Sequence, residues 1–159
     1  DRDVESLNLN APIKDNIAIA NLDKIAVGKF FIFKKNEDAY VKKQADSLSI
    51  KCASTDEYVS ALSGGNKQKV AFAKWIGKDC DVLILDCPTR GVDIGVKQAM
   101  YQLIYQLKKE GKSIIMISEE LAELIGMSDN IAIIKDGVLT KTFPRSSGLS
   151  ESEIIKYMI

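Results

Sequence analysis

Val82-Leu83-Ile84-Leu85-Asp86-Cys87-Pro88-Thr89-Arg90-Gly91-Val92-Asp93 is the stretch on which the fold turns. Four apolar residues in a row, ended by Asp86 and Pro88, are expected of a short strand buried on both faces. A carboxylate at the carboxyl end of such a strand stands where open α/β sheets place their ligands. Asp86 can hold a magnesium ion there, usually through water. The plainer alternative is a strand-end Asp that caps the following turn.

Downstream, the pattern repeats. A helix is expected with apolar residues at Met100, Leu103, Ile104 and Leu107, closed by Gly111. Ile114 to Ile117 gives a second buried strand, Leu121 and Leu124 mark a short helix, and Ile131 to Ile134 gives a third strand. Lys135-Asp136-Gly137 turns that strand into Val138-Leu139-Thr140, a hairpin by its Asp-Gly pair. Strand, helix, strand, helix, strand predicts a parallel α/β sheet with right-handed crossovers. Ser150 and Glu153 stand in capping-box spacing, so 150–159 is expected to be a capped terminal helix.

Upstream, the texture is polar and helical. Ile13 to Ile25 carries Ile17, Ala20 and Leu22 after Pro12, and Lys35 to Leu48 reads as a solvated surface helix. Gly28 and the aromatics Phe30, Phe31 and Phe33 separate them; such aromatics are more often local core than a docking surface. Leu62-Ser63-Gly64-Gly65-Asn66-Lys67-Gln68-Lys69 then opens a helix running through Phe72, Trp75 and Ile76. Two glycines let a backbone approach a ligand closely, and the first N–H groups of a helix have no partner within it. With the positive end of the helix dipole, they make a site suited to a phosphate, to which Ser63 adds a hydroxyl. Taken alone, the same residues fit an ordinary Ser N-cap.

Composition narrows the function. The 159 residues are 46% apolar, enough for a real core. With 22 basic against 22 acidic side chains, the summed field offers no general attraction to nucleic acid or anionic membrane. No His occurs, which excludes a Ser-His-Asp triad, a Cys-His pair and any His-ligated metal made by these residues alone. Cys52, Cys80 and Cys87 match no zinc or redox spacing, and all but Cys87, which follows Asp86 directly, are expected to be small buried hydrophobes or neutral filler. No apolar run approaches the ~20 residues of a membrane helix, and a soluble, cytosolic protein is expected. The opening Asp1-Arg2-Asp3, without Met, suggests a piece of a longer polypeptide.

Leu62 to Gln68 resembles the signature sequence of ABC ATPases, Leu83 to Asp86 their Walker B strand, and Gly91-Val92-Asp93 their D-loop. Asn66 to Val70 together with Pro88 to Gly95 is similar to the second ATPase half of bacterial simple-sugar importers. Those are the ribose, galactose and xylose type, with two cassettes fused in one subunit. Pro12 to Ala20 resembles the opening of that family's helical subdomain, and Ser118 to Asp129 the segment around its switch residue.

The resemblance implies a P-loop NTPase-like parallel-sheet core half with a helical signature subdomain. It divides the chain into a helical subdomain over 1–79, the later part of the core over 80–145, and a C-terminal helix over 146–159. It implies ATP and Mg²⁺ as ligands, the magnesium held by Asp86 through water. Ser63, Gly64, Gly65, Asn66, Lys67, Gln68 and Asp93 become nucleotide-binding residues. The partners implied are a second ATP-binding cassette, in the same subunit or another, and a membrane permease, with no nucleic acid. The place implied is the cytoplasmic face of the cell membrane, peripherally attached.

Two positions depart from the family. The catalytic Glu after the Walker B Asp is here Cys87, and the switch His is here Glu119. A thiol is mostly protonated at neutral pH and is poorly suited to deprotonate water, while a carboxylate repels the γ-phosphate. No Gly-x-x-x-x-Gly-Lys-Ser/Thr loop occurs to cradle phosphates. The residues at hand therefore imply an intact signature serving another cassette's site, a degenerate hydrolytic site of their own, and no ATPase activity in isolation. Other ABC ATPases and a non-hydrolysing module that docks on a permease are the alternatives.

Overall fold

Val82–Asp86 is β1, and it pairs in parallel with β2 (Ser113–Ile117), Val82 opposite Ser113 and Asp86 opposite Ile117. The computed structural model describes residues 6–28, 30–146 and 148–159, so the Asp1-Arg2-Asp3 opening lies outside the described residues. The crossover between the two strands is α5 (Ile94–Lys109), which buries Met100, Ile104 and Leu107 at helical spacing. Its end is a Schellman motif: the Lys112 N–H donates to the Leu107 carbonyl at 3.1 Å and the Gly111 N–H to that of Lys108 at 3.0 Å. Lys108 and Lys109 in the last turn suit the negative end of the dipole.

After α6 (Leu121–Met127), β3 (Asn130–Lys135) and β4 (Val138–Pro144) form an antiparallel hairpin. Its two-residue turn uses Asp136 at φ 51° and Gly137 at φ 78°, the twist that matches paired strands. Ile131, Ile133, Phe143 and Ile154 form a buried cluster, with Leu121, Leu124, Ile125 and Leu149 packed on it.

Three expectations change here. The first two strands are not buried on both faces: Val82, Ile84, Ile115 and Ile117 are exposed, Ile84 by 67%. The third strand does not join them, because β3 pairs with β4 alone. Between β2 and β3 lies a groove of about 920 Å³, lined by Ile115, Ile117, Ile131 and Ile133 among others. The terminal helix is only α7 (Glu151–Ile155); Ser150 makes no side-chain cap, its hydroxyl lying 3.0 Å from that of Ser152.

Residues 6–81 with 91–96 form one compact unit, and 82–90 with 97–159 a second. In the first, α1 (Ile13–Ala18) passes through a 3₁₀ turn, Ile19–Asn21, into α2 (Leu22–Ile25); α3 (Lys34–Ser47) and α4 (Gly64–Ile76) follow. Ile13, Ile17, Val41, Val59, Val70 and Ala73 build the core. The Asn21 amide donates to the carbonyls of Ile17 and Lys74, tying the 3₁₀ turn to α4. Phe30, Phe31 and Phe33 are exposed, Phe30 by 86%, so they are not local core. Cys52 is half-buried and Cys80 exposed, so neither is a buried hydrophobe, which leaves the neutral-filler reading; all three thiols, including the half-buried Cys87, are free. Among the described residues no helix is long and apolar enough to cross a membrane.

Candidate functional site

The sequence-derived site residues fall in both units. In the first, Ser63 takes the N-cap position of the 13-residue α4 with extended backbone, yet its side chain makes no capping bond. Its Oγ instead accepts from the Asn66 amide at 3.1 Å, while the Asn66 Oδ1 accepts the Lys51 N–H at 3.0 Å. The plain N-cap reading of Ser63 therefore lacks its hydrogen bond. The exposed hydroxyl stands at the start of α4, where the first N–H groups of a helix have no helical carbonyl to bond, a geometry suited to an anion.

Gly65 is buried, and a Cβ built on it would come 2.7 Å from Val96 Cγ2. Its missing side chain therefore serves packing within the unit, a duty the ligand-approach argument did not contain. Gly64 and Lys67 are half-buried, and Gln68 is buried. Asp93 is exposed, and its Oδ1 accepts the Val96 N–H at 3.0 Å, so it caps the start of α5.

In the second unit, Asp86 ends β1 exposed, and Cys87 follows at φ 45°. The Cys87 N–H donates to the Ile117 carbonyl at 2.9 Å, which ties the loop after β1 to the end of β2. Cys87 and Glu119 come together in a recess of about 40 Å³, with Thr89, Arg90, Ser118 and Glu120. Burial first, then the hydrogen bond to Asp86 and the charges of Asp86 and Glu119, push the thiol up from its ordinary range; Arg90 opposes them. Such a thiol stays protonated at neutral pH and cannot act as a general base. Arg90 Nη1 lies 3.5 Å from Glu119 Oε1, both side chains exposed.

Among the described residues no three His, Cys, Asp or Glu side chains converge on a metal position. Asp86 thus offers one carboxylate, which fits a magnesium ion held mainly by water and phosphate oxygens.

Sequence reasoning missed the group behind this recess. Glu123, in α6, is 5% exposed and accepts from Thr89 Oγ1 at 2.6 Å and from Ser118 Oγ. Lys97 grips the neighbouring Glu120 through both carboxylate oxygens, at 2.5 and 2.8 Å. The available signal was a lone acid inside the apolar run Leu121-Ala122-Glu123-Leu124-Ile125.

The chain is similar to known proteins. The chain is 41% identical over 157 residues to a ribose import ATP-binding protein of Shouchella clausii, covering 99% of this chain and 31% of the relative. It is 46% identical over 145 residues to a galactose/methyl galactoside import ATP-binding protein of Clostridium tetani, covering 91% and 29%. It thus spans about a third of the length of these relatives. Among solved structures, an ATP-binding cassette in a dimeric post-hydrolysis state bound to ADP and Pi superposes with a TM-score of 0.76 at 17% identity. That match covers 89% of this chain and 60% of the other, and supports the expected fold class. The sequence pattern of the ABC transporter family matches residues 4–90, from before α1 through β1 and the Cys87–Arg90 turn. The signature-like head of α4 and the Walker B-like end of β1 both lie within that match, and the chain belongs to the ABC transporter family.

Proposed function

We propose that this chain is part of the ATP-binding subunit of a simple-sugar importer, from its second cassette. It comprises the helical signature subdomain over 1–79, the later part of the ATPase core over 80–145 and a C-terminal segment over 146–159. The complete subunit hydrolyses ATP at the cytoplasmic face of the membrane, bound to a permease. The exposed Phe30, Phe31 and Phe33 offer that permease an apolar contact.

Each ATP in such a subunit lies between the phosphate loop of one cassette and the signature of the other. Ser63, Gly64, Gly65, Asn66, Lys67 and Gln68 then complete the site whose loop belongs to the first cassette. Asp86, Cys87 and Glu119 line the second site, where nucleotide is held with little turnover; Asp93, whose carboxylate caps the start of α5, is a further nucleotide-binding residue. Magnesium, where bound, supplies charge neutralisation to the phosphates, and Asp86 would anchor it on this chain. The groove between β2 and β3 supports a role as part of a larger sheet. Its exposed isoleucines suit an extended strand from the remainder of the subunit.

The head of α4 carries the reading: an exposed Ser63 hydroxyl that makes no capping bond and accepts from the Asn66 amide, at a helix start, where the first N–H groups have no helical carbonyl to bond. In the full-length subunit, Ser63→Arg should lower ATP turnover on the order of 10²-fold, the cost of losing one oriented donor at a developing charge. Unchanged turnover would return Ser63 to a helix-start residue and remove the signature role.

A further inference from the structure

Glu123 is a buried acid in a seven-residue helix whose neighbours Leu121, Leu124 and Ile125 pack on the apolar cluster. Burying a carboxylate is costly unless hydrogen bonds replace its water. Here they do. Thr89 Oγ1, itself 2% exposed, donates to one carboxylate oxygen at 2.6 Å, and Ser118 Oγ donates to the other. Burial, followed by the Glu123 charge, pushes the Tyr101 hydroxyl of α5 above its ordinary range.

The two hydroxyl donors sit at informative places. Thr89 lies two residues after Cys87, and Ser118 lies one residue before Glu119. One carboxylate therefore spans the loop after β1 and the loop after β2, with a donor from each on each of its oxygens. The Cys87 N–H to Ile117 carbonyl bond runs alongside, and the Ser118 Oγ also accepts the Glu120 N–H at 3.0 Å. Lys97 holds Glu120 from α5.

We propose that Glu123 is a positioning residue, clamping Thr89 and Ser118 so that the chain atoms flanking nucleotide in this half keep one fixed spacing. This rests on the nucleotide-site reading above, but the clamp itself can be read without nucleotide. Charge-assisted hydrogen bonds to a buried carboxylate are strong. Releasing them frees the Cys87–Arg90 turn, whose first residue sits in the left-handed region at φ 45°. The thiol of Cys87 is thus a reporter for the clamp, and the exposed Cys80 of the other unit is its internal control.

The experiment uses the full-length subunit. Initial rates of iodoacetamide alkylation at Cys87 and Cys80 are followed by peptide mass spectrometry in the wild type, Glu123→Ala, Thr89→Val and Thr89→Ser. ATP held at this half's site is followed in parallel by azido-ATP photolabelling. Glu123→Ala should raise the Cys87:Cys80 rate ratio about tenfold, as expected for loss of charge-assisted hydrogen bonds. Thr89→Val should raise it about threefold, and Thr89→Ser, which keeps the hydroxyl, should restore the wild-type ratio. If Glu123→Ala does not fold, the Thr89 pair decides. A ratio unchanged in both Glu123→Ala and Thr89→Val, or equal acceleration at Cys87 and Cys80, overturns the clamp. A raised ratio with undiminished photolabelling keeps the clamp and overturns its service to nucleotide in this half.

Discussion

The head of α4 and the loops after β1 and β2 are built by opposite means. At α4 the geometry comes from packing: buried Gly65 admits Val96, and the exposed Ser63 hydroxyl makes no cap and accepts from the Asn66 amide. At the two loops it comes from a buried polar cradle of Glu123, Thr89 and Ser118, beside a recess lined by the half-buried Cys87 and the exposed Glu119. The difference shows where change is cheap. Arg90 and Glu119 form an exposed pair, and such pairs are worth ~0–1 kcal/mol, so either can be replaced with little cost to the fold. Glu123 cannot, since removing a buried partner strands the others.

The sharpest way to break this comparison is to ask the two regions to act without the rest of the subunit. Neither carries a phosphate loop. The isolated 159-residue chain should therefore show no saturable ATP binding below millimolar nucleotide by calorimetry, whereas the full-length subunit should bind. A micromolar Kd for the isolated chain would defeat the proposed division of each site between two cassettes.

Packing at α4 can be broken alone. Gly65→Ala places a Cβ 2.7 Å from Val96 Cγ2. Overpacking of this kind costs ~1–3 kcal/mol, readable as a lower urea midpoint. Val96→Ala in the same chain should recover most of that loss, because the two residues touch and their effects couple. Equal destabilisation with and without Val96 would show that the glycine answers to something other than this contact.

Much of this contrast was legible in the sequence, and its gaps have physical causes. Helix ends were readable because caps and glycines are local: α5 closes at Gly111 by the expected backbone bonds, and Asp136-Gly137 turns the hairpin. The apolar run at 82–85 announces a strand, but burial belongs to whatever covers it, and Ile84 and Ile115 find no cover here. The same applies to the third strand, where the sequence order could not show that β3 pairs only with β4. Ser150 and Glu153 had capping-box spacing without the cap, since spacing cannot fix a rotamer. Glu123 escaped because its meaning lies in partners 34 and 5 residues away.

The altered chemistry of the second region can be sharpened by restoring it. In the full-length subunit, Cys87→Glu alone should add little turnover, because Glu119 remains to repel the γ-phosphate. Cys87→Glu with Glu119→His should add more than the two single changes combined, as expected of residues that share one recess. Additive or absent gains would place the defect elsewhere in this half.

The smallest expected effect is the most discriminating. Cys87→Ala should leave the steady-state ATPase rate of the full-length subunit essentially unchanged, because burial and the neighbouring acids hold the thiol protonated. A protonated thiol neither takes a proton from water nor holds it in place as a carboxylate does. The sign can be checked directly. A thiol pushed upward is fully protonated below its ordinary range, so alkylation of Cys87 should keep rising with pH beyond 9 without any matching rise in turnover. Single-turnover hydrolysis with the first cassette's site disabled isolates this half. If ATP is still cleaved there in the wild type, and Cys87→Ala stops it, then the thiol is catalytic and the second region is as active as the first.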